Sequence, residues 1–351
     1  MLITTLLTVL APTAHAETPA APEADITPIV LLQSWATAWD QDVDPQADAT
    51  GYGDPEADAG VSVKRARLGV EGTRGRFDYK LVFGLTSPYD GFDKETGAVG
   101  VVDATVGFSQ KGGFVEMGRT KVPFSRDQMM SAGELTFQER GFGAEHIAPD
   151  RALGLRGGYK AKGLQVQGGV FNSGGTLAGD DNDGKTYVGR VEYSSNDTTY
   201  RTWTRGKAFA VGVGGGGFLT DDVATRTVAF GGDVLVRYQG VYLLADVAHA
   251  ELTPQDTDVA TPGVWADTTR LTATGQLGVN LGRYEPAVRW TMLDDSSAGR
   301  FNQVLAGVTW HGGEKTDAGR DSVRFGLGYV KRLEETERDN DTVRAWAQVR
   351  Y

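Results

Sequence analysis

Apolar and polar residues alternate in short runs along the chain from residue 29 to its end. In residues 77–85 the odd positions are apolar or aromatic, while the even positions include Asp78 and Lys80. The same alternation recurs in six further segments, residues 102–108, 164–170, 234–238, 284–292, 304–310 and 325–329. Because successive side chains of a strand point to opposite faces, this period of two predicts β-strands with one apolar and one polar face. The pattern is weakest at residues 199–225, where the run Val211–Gly217 interrupts it.

The connections between these runs alternate in length. Short Gly-containing turns lie at residues 73–76, 109–113, 160–163 and 239–240, whereas long, polar and mostly acidic connections lie at residues 41–60, 87–99, 123–150, 172–185, 251–266 and 334–341. Short turns at one rim and long loops at the other are typical of a transmembrane antiparallel β-barrel. At about 20 residues per strand with half its loops, the chain holds roughly sixteen strands.

The last ten residues form the clearest strand. One parity holds Val343, Ala345, Val349 and the terminal aromatic Tyr351, and the other holds Arg344, Trp346, Gln348 and Arg350. A closing barrel strand has such an apolar face toward lipid and a polar face toward a watery lumen. A soluble secreted sandwich or barrel shares the alternation. The terminal aromatic, the aromatics near strand ends and the unequal connections favour the membrane barrel; those strand-end aromatics are Phe77, Phe108, Tyr193, Tyr238, Tyr284 and Tyr329.

The N-terminus indicates export. Residues 1–10 are apolar and run into the A-x-A cleavage pattern Ala14–Ala16, which predicts a signal peptide over residues 1–16, although no Lys or Arg precedes the apolar core. Residues 17–28 are rich in Ala and Pro and are expected to form a linker, and residues 29–351 the barrel. No later run of 18 apolar residues occurs, so helical membrane spans are excluded.

The charges are unevenly distributed. The net charge of −11 argues against nucleic-acid binding, but the acids concentrate in the predicted loops. Eight arginines share the polar parity of their strands: Arg65, Arg67, Arg190, Arg237, Arg289, Arg324, Arg344 and Arg350. An Arg facing the bilayer midplane costs about 2–4 kcal/mol, so eight would cost roughly 16–32 kcal/mol and exceed the usual folding stability of about 5–15 kcal/mol. These arginines must therefore face water, in the lumen or at the rims.

Two interpretations of the wall charges remain open. In the first, the arginines form a basic track that concentrates anions. In the second, they pair with inward acids and leave the pore nearly nonselective; the candidate acids are Glu71, Asp103, Glu192, Asp233 and Glu285.

Three stretches resemble the phosphate-selective porins of the O and P type. They are residues 64–72 with 77–80, residues 118–125 continuing to 134–140, and residues 148–154 with 168–174. The second is similar to that family's Gly-x-x-Lys-x-Pro-Phe-Ser segment, which leads into the constriction loop. The resemblance implies a sixteen-stranded, homotrimeric outer-membrane channel whose third loop folds inward and which passes small anions, often phosphate.

The connection after Pro123 is the candidate constriction. Proline cannot donate a ladder hydrogen bond and tends to end a central strand, and the stretch to Asp150 is too long for a tight turn. Phe124, Phe137 and Phe142 give this loop apolar anchors, so it is expected to fold into the lumen. Lys121 and Arg126 would then stand at the narrowest point of the pore.

Other chemistry is sparse. The chain has no Cys, its four His lie far apart, and no nucleophile elbow or His/Cys metal spacing occurs. Residues 179–184 resemble a Ca²⁺ loop without its full ligand pattern, so a solvated loop is the preferred reading. We therefore expect a passive, anion-preferring diffusion channel in contact with outer-membrane lipid and without catalytic residues or cofactor. The alternatives are a weakly selective general porin, a structural or adhesive barrel, and a barrel hydrolase, whose Ser/His pair is not evident.

Overall fold

The chain folds into one closed antiparallel β-barrel. The computed structural model describes residues 24–37, 60–85, 99–173, 183–204, 209–255, 264–315, 321–333 and 341–351. These contain sixteen strands: β1 (Ala24–Thr37), β2 (Gly60–Arg74), β3 (Phe77–Leu85), β4 (Val99–Gln110), β5 (Gly113–Lys121), β6 (Arg151–Ala161), β7 (Leu164–Asn172), β8 (Lys185–Ser194), β9 (Ala210–Asp221), β10 (Thr225–Tyr238), β11 (Val241–Pro254), β12 (Thr268–Val279), β13 (Tyr284–Asp295), β14 (Gly299–Lys315), β15 (Asp321–Leu333) and β16 (Thr342–Arg350). Every strand pairs with its neighbours in the chain, and β1 also pairs with β16. The predicted fold class and strand number are confirmed. The expected signal peptide, residues 1–16, and residues 179–182 of the Ca²⁺-like loop lie outside the described residues.

The barrel begins earlier than the sequence suggested. Strand β1 starts at Ala24, whereas sequence analysis assigned residues 17–28 to a linker and placed the barrel start at residue 29. Residues Ala24–Ile29 pair only with β2, whereas Val30 exchanges two backbone hydrogen bonds with Tyr351 and Leu31 is opposite Arg350 of β16. The first half of β1 is thus an edge, where Pro28 is tolerated because one side of the strand needs no N–H donor.

Three of the short turns have the same backbone conformation. In the turns at Lys111–Gly112, Lys162–Gly163 and Gln239–Gly240, both residues have positive φ. Two consecutive positive φ values characterise the type I′ turn, whose twist matches that of the flanking strands. The glycine at the second position accepts this conformation without a Cβ penalty.

Strand β8 illustrates the two faces of the wall. Thr186, Arg190 and Glu192 point inward and are buried, while Tyr187 and Tyr193 point outward and are 50% and 44% exposed. The aromatic residues predicted near strand ends are all outward and exposed. An exposed apolar outer surface with aromatics near its borders is typical of a wall in contact with lipid. In the described part of the chain, no helix has the length and apolar character needed to cross a membrane.

A long loop fills much of the barrel interior. This inward loop, residues 122–150, joins β5 to β6 and contains helix α1 (Arg126–Met129), a 3-10 turn (Ala132–Glu134) and a π-helical turn (Gly143–Ile147). Ser125 caps α1 by accepting a hydrogen bond from the Gln128 N–H at 3.2 Å. Most residues of the loop are buried.

Apolar anchors hold the inward loop against the wall. The ring of Phe124 packs edge-on against Phe218 with centroids 5.1 Å apart, and Phe137 packs against Trp346 with centroids 6.1 Å apart. Phe142, the third predicted anchor, is also buried. These contacts remove apolar surface from water at several points along the loop, which favours the folded-in position.

A second segment enters the barrel from the opposite rim. The connection between β8 and β9 is not a tight turn, and its residues 196–204, here called the second inward segment, meet the inward loop. Thr202 Oγ1 donates to the Glu134 backbone oxygen at 3.3 Å and lies 2.9 Å from Thr136 Oγ1. The two inward elements therefore contact each other inside the barrel.

Residues Val211–Gly217, which interrupt the sequence pattern, belong to β9 and make room for the interior. Gly212, Gly214 and Gly216 face inward, and a Cβ there would lie 2.8 Å from Arg126 Cζ, 2.5 Å from Arg190 Nη2 and 2.8 Å from the Phe124 backbone oxygen, respectively. The glycines are thus needed because the inward loop and its partners approach the backbone of β9 closely.

Candidate functional site: the lumen and its cavities

Wall cations supply hydrogen bonds to the backbone of the inward loop. The loop carbonyls have no sheet partner and lie where little water reaches, so each needs a donor. Arginine suits this role because its planar head carries five N–H donors. The bonds to loop oxygens are Arg65 to Gln138 (2.8 Å), Arg190 to Phe124 (2.7 Å), Arg289 to Glu139 (2.8 Å), Arg324 to Gly133 and Leu135 (2.9 and 3.0 Å), and Arg350 to Gly133 (2.6 Å).

The start of the inward loop is held by a buried ion cluster. Arg190 binds Asp233 through Nη1 and Nη2 at 2.6 and 2.9 Å, and binds Glu192 through Nε and Nη2 at 3.1 and 3.0 Å. Arg126 Nε donates at 3.1 Å to Asp233 Oδ1, the oxygen that Arg190 Nη2 also binds. Two guanidinium groups and two carboxylates thus neutralise one another. Arg126 is completely buried in this cluster, so it does not stand in the open pore as the sequence analysis expected.

Glu139 fixes the middle of the inward loop. Its carboxylate accepts a hydrogen bond from Arg344 Nη1 and lies 3.8 Å from Arg289 Nη2. Burial by itself would raise the pKa of Glu139. The positive charges of Arg344, Lys64 and Arg289 outweigh that effect and lower the pKa to about 2. Glu139 is therefore ionised at neutral pH and holds the loop by charge.

A third contact joins both inward segments to the wall. Glu285 accepts hydrogen bonds from Thr136 at 3.0 Å and Tyr242 at 2.7 Å, and its second oxygen lies 2.8 Å from His311 Nε2. The His311 ring stacks on Trp203 of the second inward segment with centroids 3.9 Å apart. Arg237 donates to the Arg201 backbone oxygen in the same segment.

A cavity lies in the lumen on the β1–β6 side. It has a volume of about 370 Å³ and lies between these strands, the inward loop and the end of β16. Six cationic side chains line it: Arg67, Lys80, Lys121, Arg151, Arg156 and Arg350. Two carboxylates, Asp103 and Glu116, also line it. Two of the six also pair with carboxylates beside the lining, Lys80 with Glu71 and Arg350 with Glu134, each at 3.0 Å. The six cations and these four carboxylates together leave an excess of two positive charges.

Ion pairs distribute this charge unevenly along the cavity. Arg151 Nε binds Asp103 at 2.7 Å, and Arg156 binds both oxygens of Glu116 at 2.9 and 3.2 Å. Lys121 has a different environment, since its Nζ donates to the backbone oxygens of Gln128 and Met130 at 2.7 and 2.6 Å. Lys121 therefore lines the cavity and also fastens the end of α1, and its partners there are neutral.

A second cavity lies where the inward loop returns to β6. It has a volume of about 300 Å³, and its lining includes His146, Asp150, Arg151 and Arg270. Burial, together with the charge of Arg270, lowers the pKa of His146 to about 4, so this imidazole is neutral at neutral pH. Arg151 borders both cavities and therefore connects two basic regions.

Three of the ten predicted pore residues line the larger cavity: Arg67, Lys121 and Arg350. The other seven face the barrel interior or lie in the inward loop, but they contact buried partners instead of this cavity: Arg65, Arg126, Arg190, Arg237, Arg289, Arg324 and Arg344. Sequence reasoning missed Lys80, Arg151 and Arg156. Lys80 was visible as an even position of β3, and Arg151 lies in a stretch already noted for its family resemblance.

The model of the protein family described as phosphate-selective porin O and P matches residues 38–211. This match confirms, over residues 38–211, the resemblance noted in the sequence. The match contains β2 to the start of β9, and so includes the inward loop and most of the basic wall of the cavity. As a porin, the chain is a channel of the bacterial outer membrane. No significant relative is found among curated protein sequences.

Solved structures agree with the porin fold. A loop-deletion form of OmpT, an outer membrane protein of Vibrio cholerae, matches with a TM-score of 0.62 at 13% identity, covering 93% of this chain and 99% of that one. An anion-selective porin from Comamonas acidovorans matches with a TM-score of 0.61 at 14% identity, covering 94% and 100%. The outer membrane channel DcaP of Acinetobacter baumannii matches with a TM-score of 0.54 at 10% identity, covering 95% and 99%. At these identities the likeness concerns the fold.

Proposed function

We propose that this porin is a passive diffusion channel that prefers anions, and that the cavity on the β1–β6 side is its constriction. The observation that carries the proposal is the excess of cationic side chains lining that cavity. Charge near the narrowest point governs which ions enter, because a narrow channel between low-dielectric walls concentrates counter-ions.

The size of the effect follows from simple electrostatics. One unit charge about 6 Å from a monovalent anion contributes about 3 kcal/mol at an effective dielectric near 20. Salt weakens this attraction, since the Debye length is about 10 Å at 0.1 M. A few cations such as Lys121 and Arg67 therefore suffice to favour anions over cations. Such an interaction replaces part of the hydration of the ion yet still allows its release.

The reversal potential of the purified porin in a planar bilayer tests this proposal. Under a KCl gradient the potential should have the sign for chloride, and its magnitude should fall as the total salt concentration rises. A potential with the sign for potassium would contradict the proposal and would show that carboxylates control the pore.

A weakly selective general porin is the second candidate, and the ion pairs favour it. Asp103 and Glu116 pair with Arg151 and Arg156, and Glu71 and Glu134 pair with Lys80 and Arg350, so carboxylates offset four of the six cationic charges. A reversal potential close to zero would support this candidate. Phosphate as the natural solute is suggested by the family alone and is part of the same proposal, with phosphate block of the chloride current as its measurement.

The assembly and export of the porin are also proposals. We expect a homotrimer, because an OmpT structure of Vibrio cholerae with the same fold is described as a trimer form. The exposed apolar outer wall would contact outer-membrane lipid or a neighbouring subunit. Residues 1–16 would act as the signal peptide. Chemical cross-linking in detergent and N-terminal sequencing of the mature protein test these points.

A further inference from the structure

We propose that the cavity on the β1–β6 side selects organic monoanions that carry a short apolar body, such as alkyl carboxylates or sulfonates. This inference rests on the proposed anion channel and names its solute class. It follows from the lining of the cavity, which combines a basic region with an apolar one.

The apolar region comes from β1 and the inward loop. Ile29 and Leu31 have the inward parity of β1, and both line the cavity together with Met129 of α1. Leu31 faces the loop, since a Cβ on Gly133 would lie 3.5 Å from Leu31 Cδ1. Val82, which points inward from β3, extends the same surface.

Cationic side chains reach the same cavity from several strands. Lys121, Arg151 and Arg156 line it from β5 and β6. Arg67 of β2 and Arg350 of β16 also line it, and both are opposite Leu31 in the sheet. An anion can therefore place its charged group on these cations and the rest of its body against the apolar surface of β1 and α1.

This arrangement suits an amphipathic anion better than inorganic phosphate. Phosphate is hydrated on all sides, and moving it against Ile29, Leu31 and Met129 would cost hydrogen bonds to water without replacement. An alkyl chain gains in the same place, because burial of each methylene group strengthens binding by up to about fourfold. Small-molecule sites commonly pair apolar linings with a few polar groups that set orientation.

Block of the chloride current by alkanesulfonates tests the inference on the unaltered porin. Methanesulfonate and butanesulfonate both carry one permanent negative charge, so only the three added methylene groups distinguish them. We expect butanesulfonate to block at about a tenfold lower concentration than methanesulfonate, as partial burial of three methylenes implies. We also expect it to block at a lower concentration than phosphate. Equal block by the two sulfonates, or stronger block by phosphate, would overturn the inference.

Variants at Met129 locate the effect. Met129→Gln keeps the length of the side chain and its helix propensity but makes it polar, and should lower the butanesulfonate preference by about threefold. Met129→Leu should preserve the preference, and a circular dichroism spectrum equal to that of the unaltered porin shows that each variant is folded. If Met129→Gln retains the full preference, the apolar region does not contact the solute. Failure of the proposed function is separate, since it would appear as a potassium-selective reversal potential in the unaltered porin.

Discussion

Replacing Gly214 by Ala should loosen the inward loop, because this glycine leaves room for the guanidinium group of Arg190. A Cβ at position 214 would lie 2.5 Å from Arg190 Nη2 and 3.0 Å from its Cζ. Favourable contacts of such atoms begin near 3.5 Å, so the guanidinium group would have to move by about 1 Å. It cannot do so freely, since it makes five hydrogen bonds to Asp233, Glu192 and the Phe124 backbone oxygen.

The expected loss can be worked out from these bonds. Their lengths of 2.6–3.1 Å leave little tolerance, and a 1 Å shift takes at least two of them out of hydrogen-bonding range. A hydrogen bond to a charged group contributes about 1.5–3 kcal/mol, so the loss is about 3–6 kcal/mol. The gain from replacing a strand glycine by alanine is only about 0.5–1 kcal/mol. Gly214→Ala should therefore lower the free energy of unfolding by several kcal/mol.

Thermal unfolding in detergent, followed by tryptophan fluorescence, measures the effect. Gly189→Ala in the neighbouring strand β8 is the matched control, because a Cβ there meets no atom within 4 Å. We expect a clearly lower unfolding temperature for Gly214→Ala than for the control. We also expect larger fluctuations of the chloride current, because Arg190 anchors the start of the inward loop. Equal unfolding temperatures would refute the argument that the glycine is required by the approach of Arg190.

Three further predictions concern the lumen. Lys121→Glu should shift the reversal potential toward potassium far more than Lys185→Glu at the start of β8, since only Lys121 lines the larger cavity; equal shifts would mean that this cavity is not the constriction. Lowering the pH from about 5 to 2 should remove about 3 kcal/mol of the free energy that holds the inward loop in place. The reason is that folding lowers the pKa of Glu139 from an ordinary 4.5 to about 2, so its stabilising charge is lost when it is protonated in this range. A conductance that is constant between these pH values would contradict the role of Glu139. Trp203→Ala should destabilise the porin by about 3 kcal/mol through the cavity it leaves beside His311, and an unfolding temperature equal to that of the unaltered porin would show that the second inward segment contributes little.

The sequence determined the wall of the barrel. A period of two in hydrophobicity fixes which side chains face outward, and this information is local, since each strand carries it in its own residues. The terminal strand ending at Tyr351 and the turns such as Lys111–Gly112 follow from equally local rules. The sequence also predicted that the wall arginines point inward, because an Arg facing lipid at the membrane midplane costs too much free energy.

Only the tertiary structure decided what the inward side chains do. Arg190 and Arg344 have the parity of pore residues, yet they bind the inward loop, because its unpaired carbonyls and Glu139 need donors where water is scarce. The glycines of β9 interrupt the alternation because Phe124 and Arg126, which are distant in the sequence, pack closely against them. The positions of the inward loop and the second inward segment determine which cations line a cavity. These positions result from long-range packing, which no single strand encodes.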